Sequence, residues 1–409
     1  MRATPLPAGA LLSREEWLRR GVSRSRLAGP ELVKVFRGFS TPRAAPATIN
    51  TMCEVLQQEI LPGAIISHTT AAALIGIALP WWVDRGIGTL AGATYEWDGR
   101  RHLPSTLPAE PDDASTSLDT TTLSASWQKQ VESGLPLLAS STFGAPAKQR
   151  ELITPPRLHC RLTSNTRRTA GPNVVVHRMT SRAHFPSNGI ELSHPYAVLL
   201  ELATMLDHDD LVIAIDSLVS RTPPMGRTSL EKISKVADIY DGAWGAPALR
   251  RAVKDARANT DSPGETRTRL LLRRAGFPEP VLNHPVEDPD SDGTRYIDLA
   301  YPDLKIGIEY DGDYHRQTTT QRRKDQARLD SLASIGWNIR SLNAEDIKKP
   351  GRFLEALRRT FLTARADAPP SSNWSGRTEK SLGRSLRPPE ERSEKARTKY
   401  GTRATRTAT

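Results

Sequence analysis

Cysteine is nearly absent: Cys53 and Cys160 are the only two in 409 residues, and they lie far apart. Neither a disulfide framework nor a zinc cluster is available to such a chain. Long apolar runs are missing too. Met1–Pro7 carries no apolar signal core. Ala71–Val83, interrupted by Pro80, is shorter than the ~20 residues that a membrane span needs. A cytoplasmic protein with no membrane partner is therefore expected. Internal repeats and a glycine-rich phosphate loop are also lacking.

What the chain has is positive charge, net +11 from 57 Lys/Arg against 46 Asp/Glu. That balance suits a polyanionic partner. Part of it sits in 364–409, where eleven Lys/Arg face five Asp/Glu in a Ser-, Thr-, Arg- and Pro-rich stretch. Such a composition cannot bury a core, and this basic tail is expected to be disordered. It adds nonspecific DNA affinity through counterion release, or solubility alone. The remaining length has room for two or three domains.

The most informative segment runs from Arg295 to His315. Asp298 lies inside an apolar, strand-like run, and Glu309 closes a second one after the turn at Pro302–Asp303. Carboxylates in core-forming strands need compensation, and hard cations such as Mg²⁺ supply it through oxygen ligands. With period-two alternation, Tyr296, Asp298 and Ala300 share one face, as do Lys305, Gly307, Glu309 and Asp311. Ile306, Ile308 and Tyr310 then point the other way. A tight turn sets Asp298 opposite Gly307 and a longer one sets it opposite Glu309. The two carboxylates are then diagonal at about 7–8 Å or opposed at roughly 5 Å between Cβ atoms. Either spacing lets one metal ion bridge them, with Gly307 leaving room for it. A solvated pair of carboxylates is the bland alternative, but Asp298, Glu309, Asp311 and His315 converge on one hairpin end.

Asp298, Ile308–His315 and the run Arg322–Trp337 together resemble the very-short-patch-repair-like endonuclease domains of the PD-(D/E)XK superfamily. The resemblance covers about 262–360. It implies a restriction-endonuclease-like α-β-β-β-α-β core and metal-dependent phosphodiester hydrolysis, with Mg²⁺ or Mn²⁺ as cofactor and Asp298 and Glu309 as metal ligands. In this chain Asp311 stands where the superfamily has a lysine. Members of this branch also lack that lysine and place a histidine nearby, so His315 is the candidate to substitute, as general base or leaving-group acid near neutral pH.

The flanks fit that core. Ser262-Pro263-Gly264-Glu265 predicts a helix start, with Ser at the N-cap, Pro at the first helical position and Glu at N3; Gly276 is its stop. Glu265 has two readings, as the family's metal-facing helix glutamate or as a capping residue. Val281–Val286 and Trp337–Leu342 read as strands, and a helix between Thr318 and Ile335 buries Leu329 and Leu332. Arg322, Arg323 and Lys324 at its start either contact DNA phosphates or form a solvated face.

The N-terminal two thirds carry a weaker signal. Ser13-Arg-Glu-Glu16 caps one short helix and Ser23 a second, after which Leu32–Phe36 reads as a strand with a turn at Arg37-Gly38. The segment 1–45 loosely resembles the winged-helix N-terminal domain of AbiEi-type antitoxins, which regulate transcription. Arg24 and Arg26 would then be the residues nearest DNA. A helical cap on the next domain is the other reading. A mixed α/β middle region spans 46–225, with a disordered insert expected at 91–150, where periodicity is weak; 226–259 reads as a helical linker and 260–363 as the endonuclease-like domain. His68, opening a helix, reads as a capping or core residue. The fold class is thus α/β (α+β). The leading function is a metal-dependent DNA endonuclease whose N-terminal region selects DNA. The alternative is an antitoxin-type DNA-binding regulator with an inactive nuclease fold.

Overall fold

Side-chain caps and apolar patterning set most element boundaries in this computed structural model. It describes residues 4–79, 158–162, 170–171, 174–178, 183–221, 223, 228–240, 242–243, 245–287, 294–312, 319–378 and 382, with backbone only over 319–325. The chain divides into two compact units, Met1–Ala258 and Asn259–Thr409. The architecture is α/β, with helices set against three separate sheets.

In the first unit, Ser13 accepts from Glu16 N to begin α1 (Arg14–Arg19), and Ser23 accepts from Arg26 N to begin α2 (Arg24–Leu27). The strands β1 (Leu12–Ser13), β2 (Leu32–Phe36) and β3 (Phe39–Pro42) form an antiparallel sheet in the order β1-β3-β2. Trp17, Val22 and Leu32 bury its small core. Next come α3 (Ile49–Val55), β4 (Ile65–Ile66) and α4 (His68–Ile75). The strands β5 (Leu158–Leu162), β6 (Val174–Arg178), β7 (His184–Ser187) and β8 (Ile190–Ser193) join β4 in a mixed sheet of order β6-β5-β4-β8-β7. The expected insert at 91–150 lies outside the described residues.

Four helices follow: α5 (Pro195–Leu202), α6 (His208–Leu218), α7 (Leu230–Ile239) and α8 (Ala246–Asp255). The stretch read as a linker is thus two packed helices, which bury Ile233, Val236, Leu249 and Ala252. Asp216 accepts from Arg257 N at 2.7 Å, a structural role for a buried carboxylate. Among the described residues no helix is long and apolar enough to cross a membrane.

The second unit runs α9 (Pro263–Ala275), β9 (Val281–Glu287), β10 (Thr294–Tyr301), β11 (Ile306–Tyr310), α10 (Thr319–Ser334) and β12 (Asn338–Leu342), then α11 (Ala344–Lys348) and α12 (Gly351–Thr363). Its sheet has the order β12-β11-β10-β9, antiparallel except for the β11–β12 pair that α10 connects. Leu271, Leu272 and Ala275 of α9 and Phe353, Leu354, Leu357 and Phe361 of α12 share one core with Leu299, Tyr301, Ile306 and Ile308. Leu332 of α10 packs in a second core with Val286, Ile297, Ala300 and Trp337.

Two expectations are corrected here. First, strict alternation fails at Asp298. Ile297 and Ala300 lie in one core and Leu299 and Tyr301 in the other, so Asp298 marks a break in the period of two. Its cause is opposite in β9, where Asn283 takes the left-handed conformation (φ 46°) and the register runs from Ile297↔His284 to Leu299↔Leu282. Second, the first part of the basic tail is ordered. Trp374 is buried and stacks on Phe277 with ring centroids 5.7 Å apart, while Asn373 donates to Ala275 O at 2.9 Å. One large aromatic outweighs the polar composition around it.

Candidate active site

Two carboxylates, Glu265 on α9 and Asp298 on β10, feel one another's charge, and Glu309 stands on the neighbouring strand β11. Glu265 is placed by the cap: Ser262 Oγ accepts from Glu265 N at 3.2 Å, and the Glu265 carboxylate accepts from Asp261 N at 2.9 Å. The reciprocal bond therefore goes one residue before the N-cap rather than to it. The same oxygen, Oε2, accepts from Asn283 Nδ2 at 3.1 Å, and Asn283 also donates to Asn259 O. The strained Asn283 backbone thus ties the start of α9 to the break in the sheet. Gly264 is required beside it, since a Cβ there would lie 2.1 Å from the Tyr310 ring.

Asp298 closes the other side. Regular pairing of β10 with β11 ends at Leu299↔Ile308, and beyond it the N–H of Tyr310 donates to Asp298 Oδ2 at 2.9 Å. Continuing that register sets Asp298 level with Glu309, the longer-turn alternative. Burial, then the negative charge of Asp298, pushes the Glu265 carboxyl up to about 7. Glu309 is largely buried and forms a bidentate pair with Arg328, with Nη2–Oε1 at 2.6 Å and Nη1–Oε2 at 3.1 Å. Arg328 Nη2 also donates to Tyr296 O at 2.9 Å.

The other candidates divide clearly. Asp311 is half-buried just past the end of β11, its N–H on Leu342 O at 2.8 Å. His315 lies outside the described residues. Arg322, Arg323 and Lys324 sit on α10, and only their backbone is described. Arg24 is exposed on α2. Arg26 instead binds Glu31 through Nε and Nη2 and donates to Thr4 O, so its guanidinium serves the protein's own fold. The space that the absent Gly307 side chain leaves is filled by Ile339 and Ile297, which a Cβ would approach to 2.5 and 2.9 Å. It is packing room, not metal room.

Two residues of this site escaped the sequence reading, Asn283 and Arg328. A signal for Arg328 was present: it stands four residues before Leu332, so both lie on the same helix face, and Leu332 is fully buried.

Among the described residues no group of three or more His, Cys, Asp or Glu is arranged to enclose a metal ion. The charge of Asp298 adds to burial in raising the proton affinity of Glu265.

A second polar cluster lies in the first unit. His68 stacks on His177 with ring centroids 3.5 Å apart, and His159 Nδ1 lies 2.9 Å from His177 Nε2. Burial drives the His68 imidazole down to about 2, with the neighbouring His177 adding to the effect. Glu201, fully buried, accepts from His68 N at 2.6 Å and Ser193 Oγ at 2.8 Å, beside Arg161 at 3.5 Å. His68 is a core residue, as its position at a helix start suggested.

No family model matches the chain, and no solved structure matches it. Two uncharacterised proteins, each from a strain of Mycobacterium tuberculosis, are 25% identical to it over 193 residues, which is 47% of this chain and 69% of theirs.

Proposed function

We propose that the chain is a metal-dependent DNA endonuclease. One observation carries this: Glu265 on α9 and Asp298 on β10 bring their carboxylates into range of one another, with Glu309 on the neighbouring strand β11, in a unit whose order of elements is α-β-β-β-α-β. The resemblance of Ile308–His315 and Arg322–Trp337 to very-short-patch-repair-like nucleases and the net positive charge support it. Asp298 and Glu309 would be the residues to hold Mg²⁺ or Mn²⁺, which would supply Lewis-acid polarisation of a phosphate and a more acidic water. Glu265, its proton affinity raised by burial, is placed to take a proton from that side of the site. His315 acts on the leaving group, and Arg322, Arg323 and Lys324 hold flanking phosphates.

The test is cleavage of supercoiled plasmid with Mg²⁺ or Mn²⁺, with EDTA and Asp298→Ala as controls. Metal-dependent nicking by the wild type and its loss in the variant is the expected result. A second reading, DNA-binding regulator, draws on the hairpin of β2 and β3 beside α1 and α2, with Arg24, Lys34 and Arg37 exposed. It predicts DNA retention without cutting, unchanged in Asp298→Ala.

A further inference from the structure

The histidine cluster of the first unit has no part in the proposed cleavage, and its geometry is unusual in two respects. One is the stack. His159 and Arg161 point to the same face of β5, and His177 of β6 follows on that face, in register with Arg161. His68, opening α4, lies on His177 with ring centroids 3.5 Å apart and the planes 17° from parallel. His159 Nδ1 and His177 Nε2 share a hydrogen bond of 2.9 Å, one ring donating its N–H to the other. Three imidazoles and a guanidinium thus occupy one layer. The carboxylate facing them, Glu201 of α5, already accepts from the His68 N–H and Ser193 beside Arg161.

The other is the first turn of α4. His68 has φ 52°, a left-handed conformation that costs a non-glycine residue energy. The hydroxyl of Ser67, at the N-cap, lies 2.9 Å from His68 Nδ1 and makes no bond to the helix backbone. Thr69 Oγ1 is buried, and nothing among the described residues hydrogen-bonds it. The stack and Glu201 therefore hold this turn shut against its local preferences. Burial keeps the His68 imidazole down to about 2 and that of His177 to about 4. His177 is the half-buried ring of the two, and so the one that a proton reaches first. The charged and titratable groups that bear on the pair are His159 and Arg161 from β5 and Glu201 from α5, with Tyr240 acting on Arg161. Glu191 of β8 is taken by His184 of β7 at 3.3 Å, and Arg178 is exposed beyond the stack.

We infer that this cluster is an acid-sensitive latch: a proton on His177 parts the stacked rings and releases the first turn of α4 from the sheet. The latch is independent of the nuclease reading. A cation at His177 stands in one layer with Arg161, while the charge of Glu201 is already engaged. In the open form both rings reach water and take protons near the ordinary 6.5, which the closed form does not. Glu201 works the other way, since burial raises its carboxyl from 4.5 to about 7 and the closed form keeps that proton. The balance is two protons gained against one lost. Opening is then favoured about tenfold for each pH unit of acidification between roughly 6.5 and 4.5.

Hydrogen exchange of the α4 amides in the full-length protein, corrected for intrinsic rate, reads this opening across that pH range. The amides of α12 in the second unit serve as reference. Protection of α4 is expected to fall about tenfold per pH unit of acidification while that of α12 does not fall. His177→Phe keeps a ring against His68 but takes no proton, which leaves one imidazole balanced by Glu201. Its α4 protection is expected to stay level through the same range. His177→Gln can still hydrogen-bond His159 and carries the test, with the same expectation, if the phenylalanine variant does not fold. Wild-type α4 protection that does not change with pH overturns the inference, as does an equal dependence in the wild type and both variants. A parallel loss in α12 overturns it too, because acid then unfolds the whole protein rather than one latch. None of these outcomes bears on plasmid cleavage.

Discussion

The side chain of Glu265 accepts two hydrogen bonds on Oε2 while a like charge, Asp298, stands nearby in a water-poor site. Folding therefore raises its proton affinity from the ordinary 4.5 to about 7. Between those values the native state binds more protons than the unfolded chain. Stability measured without divalent metal must then fall as pH rises from about 4.5 to about 7, and level off beyond. Glu265→Gln keeps an amide oxygen that can accept from both Asp261 N and Asn283 Nδ2 but carries no charge. Its stability curve should be flatter through that window, and the variant should exceed the wild type at pH 8 by about 2–3 kcal/mol. Urea unfolding at a series of pH values in EDTA measures this. Parallel curves for the two proteins would mean that Glu265 is ionised throughout.

Glu201 of α5 shows how elements of the first unit are held in place. It receives the N–H that opens α4, the hydroxyl of Ser193 from β8, and the charge of Arg161 from β5, all out of water. Glu201→Ala leaves a fully buried guanidinium with Ser193 and Ala183 O as neutral partners. A loss of about 3–5 kcal/mol is expected in chemical denaturation, the cost of breaking one side of a buried pair. A loss under 1 kcal/mol would mean that water reaches Arg161. Helix starts at Ser13, Ser23 and Ser262 and the stop at Gly276 were legible in the sequence because a cap is a local chemical event. The strands at Leu32–Phe36 and Val281–Glu287 were legible from their apolar runs. The break at Asp298 was not, since its cause is Asn283 on another strand, a contact no local pattern encodes. For Arg328 the spacing to Leu332 marks the helix face, but its partner Glu309 is set only by the fold.

At the scale of the chain, the composition of the C-terminal tail predicts that charge and folding separate along it. Residues 383–409 hold eight Lys/Arg against three Asp/Glu, a net +5 out of the protein's +11. Residues 364–382 hold Trp374 and Leu382, both buried in the core that Phe277, Tyr301 and Phe361 form. A chain ending at 382 should therefore keep the wild-type melting temperature and lose nonspecific DNA affinity. Its log–log salt dependence should flatten by about 0.9 for each DNA phosphate that the tail no longer neutralises. A chain ending at 363 should also lose stability in the second unit, by about 3–5 kcal/mol for the Trp374 side chain alone. Trp374→Ala in the full-length protein separates the two effects: it should reproduce the loss of stability and leave the salt slope untouched. DNA retention in EDTA across a salt series, paired with thermal melts, measures both quantities on the same samples. If the chain ending at 382 melts early, residues beyond 382 belong to the fold, and the boundary between core and tail lies further along the chain. If its salt slope is unchanged, the DNA contacts lie on the folded units, and the charge that matters is that of α2, α10 and the hairpin of β2 and β3.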